Sequence, residues 1–127
     1  ICSKGAVIYP GEVTTIKTGI AIHIGSGAAN VVGLIVPRSG LGSRGLILAN
    51  TIGVIDRDYQ GELLINAWNR NSPTSDPSWR DRVFRLKAGD RVAQLLFVPV
   101  IKVEFEVVEE FRYSTERGGG CFGSTGS

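Results

Sequence analysis

The chain has no methionine, one histidine, two cysteines placed near opposite ends, and no apolar run of membrane-spanning length. Each shortage excludes something. His23 has no Cys, His or paired carboxylate at ligand spacing, so it reads as structural and a zinc-type donor set is ruled out. Cys2 and Cys121 are too few for the disulfide framework of a small secreted domain, and no secretory h-region is present. The thiols are therefore expected to be reduced and the protein intracellular. With Ile1 at its head and no methionine, the sequence is expected to be preceded by further residues. Neither sign of charge dominates: 14 Lys and Arg against 12 Asp and Glu give +2, mixed along the chain. No polybasic stripe points to nucleic acid as a direct partner. No stretch of ten or more residues repeats apolar side chains at i, i+3, i+4 and i+7, which excludes an extended helix.

What is present is alternation. Ile16, Ile20, Ile22 and Ile24 are separated by Lys17, Thr18, Gly19, Ala21 and His23, and Val103, Phe105 and Val107 alternate with Lys102, Glu104 and Glu106. A period of two predicts half-buried strands. Further β-rich runs lie at 31–36, 46–48, 63–68 and 92–100, punctuated by glycine and asparagine. Short strands at this spacing predict a sandwich or barrel, and 127 residues suffice to bury its core without a metal or disulfide staple. The polar segment 70–82, "RNSPTSDPSWRDR", reads as a long surface hairpin loop. The β pattern stops after Phe111. The chain thus divides into a β core over 1–111 and an arm over 112–127 that ends "ERGGGCFGSTGS". So glycine-rich an arm cannot order itself, because glycine loses the most conformational freedom on ordering.

Three internal segments carry groups suited to chemistry. "PRSGLGSRG", 37–45, puts Arg38, Ser39 and Gly40 at a strand end, where a guanidinium fork, a hydroxyl and close backbone approach suit a phosphate; a plain polar turn is the alternative. "GVIDRDYQGELL", 53–64, reads as a hairpin in which Asp56 is a turn residue or a general base, and Tyr59 a flat wall. "GDRVAQLLF", 89–97, leads a turn into a strand with Gln94 as its one neutral polar side chain, facing solvent or a site.

Together with the tail, these segments resemble the ordered motifs of the trimeric dUTPase (deoxyuridine triphosphate nucleotidohydrolase) family. RSGL stands at 38–41, GVIDRDYQGE at 53–62, GDRVAQL at 89–95 and RGGGCFGSTG at 117–126. The resemblance spans essentially the whole chain. It implies an all-β, distorted jelly-roll or β-clip subunit, a homotrimer, and a C-terminal arm reaching a neighbouring subunit's site. The implied reaction is hydrolysis of dUTP to dUMP and pyrophosphate by attack of water on the α-phosphate, limiting uracil incorporation into DNA and supplying dUMP for thymidylate synthesis. Mg²⁺ is the implied cofactor, held by phosphates and waters with no direct protein ligand. The setting implied is cytoplasmic, or a host cell for a viral or phage source.

The resemblance assigns roles to residues. Asp56 orients and polarises the water, and Gln94, Arg38, Ser39 and Gly40 place the phosphates. Asn50 and the backbone around Val54, Ile55 and Leu64 read uracil, while Tyr59 packs on the deoxyribose and excludes a 2′-hydroxyl. Arg117, Gly123, Ser124 and Thr125 wrap the triphosphate, and Phe122 stacks on the pyrimidine. Two departures stand out: an AGxDL-like first motif is expected upstream of Ile1, and Cys121 replaces a glycine of the fifth motif. A dCTP deaminase shares the implied fold, but it resembles a pattern with a catalytic glutamate ten residues after the aspartate, where this chain has Asn66. An amide cannot serve as that acid and base. The remaining alternative is a catalytically idle jelly-roll binding module.

Overall fold

The computed structural model describes residues 1–25 and 30–120. Among them, eight strands form three antiparallel sheets. β1 (Ala6–Ile8) pairs with β7 (Phe84–Leu86). A second sheet has the order β2-β6-β4, with β2 Val13–Ala21, β6 Glu62–Asn69 and β4 Leu46–Leu48. The third runs β5-β3-β8, with β5 Gly53–Ile55, β3 Val31–Pro37 and β8 Ala93–Pro99. The chain changes sheet between most consecutive strands, which is jelly-roll rather than hairpin connectivity, so the all-β architecture expected from the sequence is the one observed.

Strand β6 shows how patterning becomes packing. Leu63, Ile65, Ala67 and Asn69 are buried, while Leu64, Asn66 and Trp68 are exposed. The inward set joins Ile16 of β2, Leu46 and Leu48 of β4, Ile35 of β3 and Phe84 and Leu86 of β7 in one core. Burying side chains of this size contributes on the order of 1.5–3 kcal/mol each. In β3, a methyl group added to Gly33 would meet Ile55 at 3.2 Å and Leu95 at 3.3 Å, so the missing side chain lets both neighbouring strands close over it.

Four expectations change. The alternation around Ile16 is interrupted: Thr18 occupies a buried position and its hydroxyl donates to the Leu63 carbonyl at 2.7 Å, while Gly19 turns to φ +68° and the register shifts between Lys17 and Ala21. The irregularity leaves Ile20 exposed, and the strand ends before His23. Segment 102–107 forms no strand, and Phe105 and Val107 are 91% and 96% exposed. Alternation prepares two faces, but a strand also requires a partner edge for its N–H and C=O groups, and none of the described residues supplies one here. Segment 70–82 is not a hairpin loop, since β6 and β7 lie in different sheets. It contains a 3₁₀ turn, Pro77–Arg82, capped by Asp76, whose carboxylate accepts from the Ser78 N–H at 2.8 Å; that bond holds the carboxyl below its ordinary pKa. Finally, the expected turn after β3 is a four-residue helix, α1 (Ser39–Gly42).

Asn69 ties this loop to the core. Fully buried, it donates to the carbonyls of Ile8 at 3.1 Å and Arg82 at 2.7 Å, and its oxygen accepts from the Asn71 side chain at 2.9 Å and backbone N–H at 3.2 Å. Leucine at this site would leave the buried Ile8 carbonyl without its donor, at about 1–3 kcal/mol for an unsatisfied buried group, and would remove the tie to the Arg82 carbonyl. Asn69→Leu is therefore expected to lower unfolding stability by about 3 kcal/mol, read from the urea midpoint. A loss under about 0.5 kcal/mol, the range of ordinary surface changes, would show that the network is not structural.

Candidate active site

Segment 53–64 contains a turn, but its flanking strands do not pair with each other. The Tyr59 N–H donates to the Asp56 carbonyl at 3.1 Å, closing a β-turn over Arg57 and Asp58. On one side β5 pairs with β3; on the other β6 pairs with β2 and β4. The reason lies in strand lengths. β4 reaches along β6 as far as Leu48 opposite Ala67, and after Ala49 the chain turns away to join the other sheet. The Asn66 carbonyl still accepts the Ala49 N–H at 2.8 Å; beyond it, β6 at Leu64 faces, on that side, the open edge of β5 across a cleft of about 120 Å³. Its walls include Asn50, Val54, Ile55, Leu64 and Asn66. Strand edges without a partner present N–H and C=O groups in a fixed row.

The turn that aims Asn50 is strained. The Ile52 N–H donates to the Asn50 carbonyl at 2.7 Å across Thr51, whose φ is +61°. Such a γ-turn is rare, and rarer still at a β-branched residue. The Thr51 hydroxyl donates to the same carbonyl at 2.6 Å. The Asn50 amide nitrogen lies 3.5 Å from where a Gly53 methyl would stand, which places the amide beside the start of β5.

Tyr59 is fixed by a different omission. Its hydroxyl donates to the Glu62 carbonyl at 2.9 Å, and a methyl on Gly61 would fall 2.7 Å from the ring carbon bearing that hydroxyl. Without a side chain at Gly61 the ring folds back over the chain beside the Asp56 turn. Thr51, Gly61 and Asn66 were not recognised as contributors from sequence. For Gly61 the spacing from Tyr59 was a usable sign; a positive φ at threonine has none.

The phosphate-suited residues gather elsewhere. Arg38 caps α1 and donates from Nη1 to the Arg91 carbonyl at 2.8 Å; Ser39 and Gly40 follow, exposed, ahead of the first internally bonded N–H at Leu41. Gln94 stands opposite Val36 in the β3–β8 ladder and donates to the Pro37 carbonyl at 3.2 Å. Register then measures the gap between the two groups. Ile55 is opposite Gly33, which sets Asp56 near the level of Val32, six residues of strand from Arg38. At about 3.3 Å per residue this is roughly 20 Å. One chain brings Arg38, Ser39, Gly40 and Gln94 together at one end of β3; Val54 and Ile55 pair with its middle, at Leu34 and Gly33, lining the cleft with Asn50 and Leu64, and the chain leads on from there to Asp56 and Tyr59. It does not join Asp56 to Arg38. Arg117 sits apart from both in an exposed turn, with Nε donating to the Gly120 carbonyl at 3.1 Å. Phe122, Gly123, Ser124, Thr125 and Cys121 lie outside the described residues. Among the described residues, no three His, Cys, Asp or Glu side chains form a cluster that could hold a metal, and no helix is long and apolar enough to cross a membrane.

Comparison with known proteins bears on the family and the fold. The dUTPase family model matches residues 1–126. A deoxyuridine 5'-triphosphate nucleotidohydrolase of Acinetobacter baylyi is 52% identical over 120 residues, covering 94% of this chain and 72% of the relative. Among solved structures, Staphylococcus bacteriophage 80alpha dUTPase with dUPNHPP superposes with TM-score 0.81 at 32% identity, covering 98% of this chain and 82% of that one. A point-mutant dUTPase from phage phi11 of S. aureus, described with a structural Mg(II) ion, superposes with TM-score 0.72 at 29% identity over 87% of this chain and 80% of that one.

The strained turn yields a measurable consequence. Relieving an unfavourable φ returns about 1–3 kcal/mol, more than the roughly 0.5–1 kcal/mol glycine costs through chain entropy. Thr51→Gly is expected to raise the urea midpoint, by about 1 kcal/mol of stability. A loss of that size instead would show that Thr51 is not strained.

Proposed function

The chain belongs to the dUTPase family, and on that premise we propose that it hydrolyses dUTP to dUMP and pyrophosphate. Water attacks the α-phosphorus, the bond from that phosphorus to the oxygen shared with the β-phosphate breaks, and one proton is released. The observation that carries this reading is the cleft between the open edges of β5 and β6, with Asn50 at its side and Asp56 leading away from β5. Two strand edges offer donors and acceptors in alternation, as a pairing base does. Uracil matches such a row, cytosine reverses part of it, and the thymine methyl meets the wall. A buried polar site left unmatched can discriminate by about 10⁴ or more.

In this reading Asn50 and the backbone of Val54, Ile55 and Leu64 bind uracil, and Tyr59, pinned over Gly61, packs against the deoxyribose where a 2′-hydroxyl would collide. Asp56 orients and polarises the water, while Arg38, Ser39, Gly40 and Gln94 hold the phosphates. Arg117, Phe122, Gly123, Ser124 and Thr125 belong to an arm over 112–127 that closes on the bound nucleotide, excluding water, while 1–111 forms the core. In this reading Mg²⁺ would be held by the substrate's phosphates and by waters, oxygen donors of the kind this hard cation takes. Bound there, the ion neutralises phosphate charge.

The separation of about 20 Å along β3 supports an assembled site. Asp56 must reach the water, and Gln94 and Arg38 the phosphates around the same phosphorus, by hydrogen bonds of about 3 Å. Each site then takes Asp56 from one copy and Arg38 with Gln94 from another, in a closed ring of three, with the arm reaching a neighbour. The exposed Leu96, Phe97, Ile101 and Phe105 suit such burial, and 102–107 can complete its strand on a neighbour's edge.

Pyrophosphate release with dUTP, dCTP, dTTP and UTP tests the activity. Turnover is expected with dUTP alone, and Asp56→Asn should lower kcat by at least 10² while nucleotide still binds. Near wild-type turnover by Asp56→Asn would remove the aspartate from the mechanism. Assembly is tested by co-expressing Asp56→Asn with Arg38→Ala chains, each inactive alone. Random mixing in a ring leaves about a quarter of the sites intact, so activity should return to about that fraction. No recovery in verified mixed oligomers would mean that each site is built within one chain.

A further inference from the structure

Beside the phosphate-suited end of β3 lies a second concavity. A groove of about 360 Å³ runs between α1 and the β7–β8 turn, lined by Arg38, Arg44, Arg85, Arg91, Phe84 and Asp90 among others. Two of its guanidiniums are held in place by uncharged partners: Arg44 lies over the Phe84 ring, 5.2 Å from its centroid, and Arg38 donates to the Arg91 carbonyl. Arg85 projects from the middle of β7 between buried Phe84 and Leu86, so its backbone is fixed on both sides. The carboxylate of Asp90 accepts the Lys87 N–H at 2.8 Å. Among the described residues the one ion pair joins Arg112 to Glu106, so no guanidinium of the groove is neutralised by a carboxylate. Four arginines against one aspartate leave three positive charges in excess.

Concentrated like-charged guanidiniums repel one another, and a compact oxyanion relieves that repulsion while using their paired N–H groups as forks. A diphosphate matches that excess in charge. A nucleic-acid backbone matches less well, because the cations do not continue as a stripe and Asp90 interrupts them. Arg38 belongs both to this groove and to the phosphate-binding residues of the hydrolytic site. We propose that the groove is a binding site for inorganic pyrophosphate, which receives the leaving product through the shared Arg38. The origin of that pyrophosphate rests on the dUTP-hydrolysing function proposed above; the groove itself rests on the arginines.

The test titrates sodium pyrophosphate into the full chain by calorimetry without magnesium, and measures dUTP turnover and product inhibition in parallel. Arg85 is exposed and has no part in the hydrolytic site, so Arg85→Gln is the principal variant, with Arg44→Gln as a second. Each is expected to weaken pyrophosphate binding about tenfold or more, the loss of one charge-assisted hydrogen bond or pair. The inhibition constant for pyrophosphate should rise by the same factor, with KM for dUTP and the single-turnover rate unchanged. An active chain whose pyrophosphate affinity ignores both substitutions overturns the groove and leaves the hydrolytic reading intact. An inactive wild-type chain that still binds pyrophosphate through Arg85 overturns the hydrolytic reading and leaves the groove as a diphosphate site. A single-stranded oligonucleotide binding more tightly than pyrophosphate through the same arginines overturns the choice of ligand.

Discussion

The pairing of β3 between β5 and β8 is the constraint on which the rest depends. A hydrogen-bonded ladder fixes register residue by residue, since a slip of one position would turn every buried side chain outward. With Gly33 opposite Ile55 and Val36 opposite Gln94, Asp56 and Arg38 are held toward opposite ends of one stiff element. Neither can approach the other without breaking the sheet. A site whose halves are rigidly held apart in one chain can be completed by a neighbouring copy, and its geometry is then as stiff as the two sheets that meet.

The cleft itself owes its shape to things left out. β4 stops short of the end of β6, so the edge at Leu64 stays open. Gly61 leaves room for the Tyr59 ring. Thr51 accepts an unfavourable backbone conformation in the turn that aims Asn50. Strain of this kind persists where surrounding structure over-determines it, and here the β4 and β5 ladders on either side do so. Away from the cleft, buried Asn69 joins β1, β6 and the 70–82 loop through hydrogen bonds to the Ile8 and Arg82 carbonyls.

The four motifs at 38–41, 53–62, 89–95 and 117–126 were legible because each concentrates residue types with a physical reason to stand together: glycines for close approach, arginine for phosphate, an aspartate beside a tyrosine. The β class was legible from the period of two in β6 and the early part of β2. The irregularity at Gly19 was not, because Thr18 is polar by type and buried only through its bond to the Leu63 carbonyl. The strand expected over 102–107 shows the same limit from the other side: alternation describes faces and says nothing of partners.

By itself, then, the sequence determined the family and the all-β class, since these follow from side-chain chemistry and local periodicity, and it supplied the candidates for binding phosphate and polarising water. Which strands pair was decided by tertiary structure. The apparent hairpin at 53–64 became a cleft because its two strands found better partners in different sheets, β3 for one and β2 with β4 for the other. The distance between Asp56 and Arg38, and the convergence of Arg38, Arg44, Arg85 and Arg91 on one groove, also arise only when segments far apart in the chain are packed together. Pairing partners are chosen by the burial of a whole core, and no local pattern carries that information.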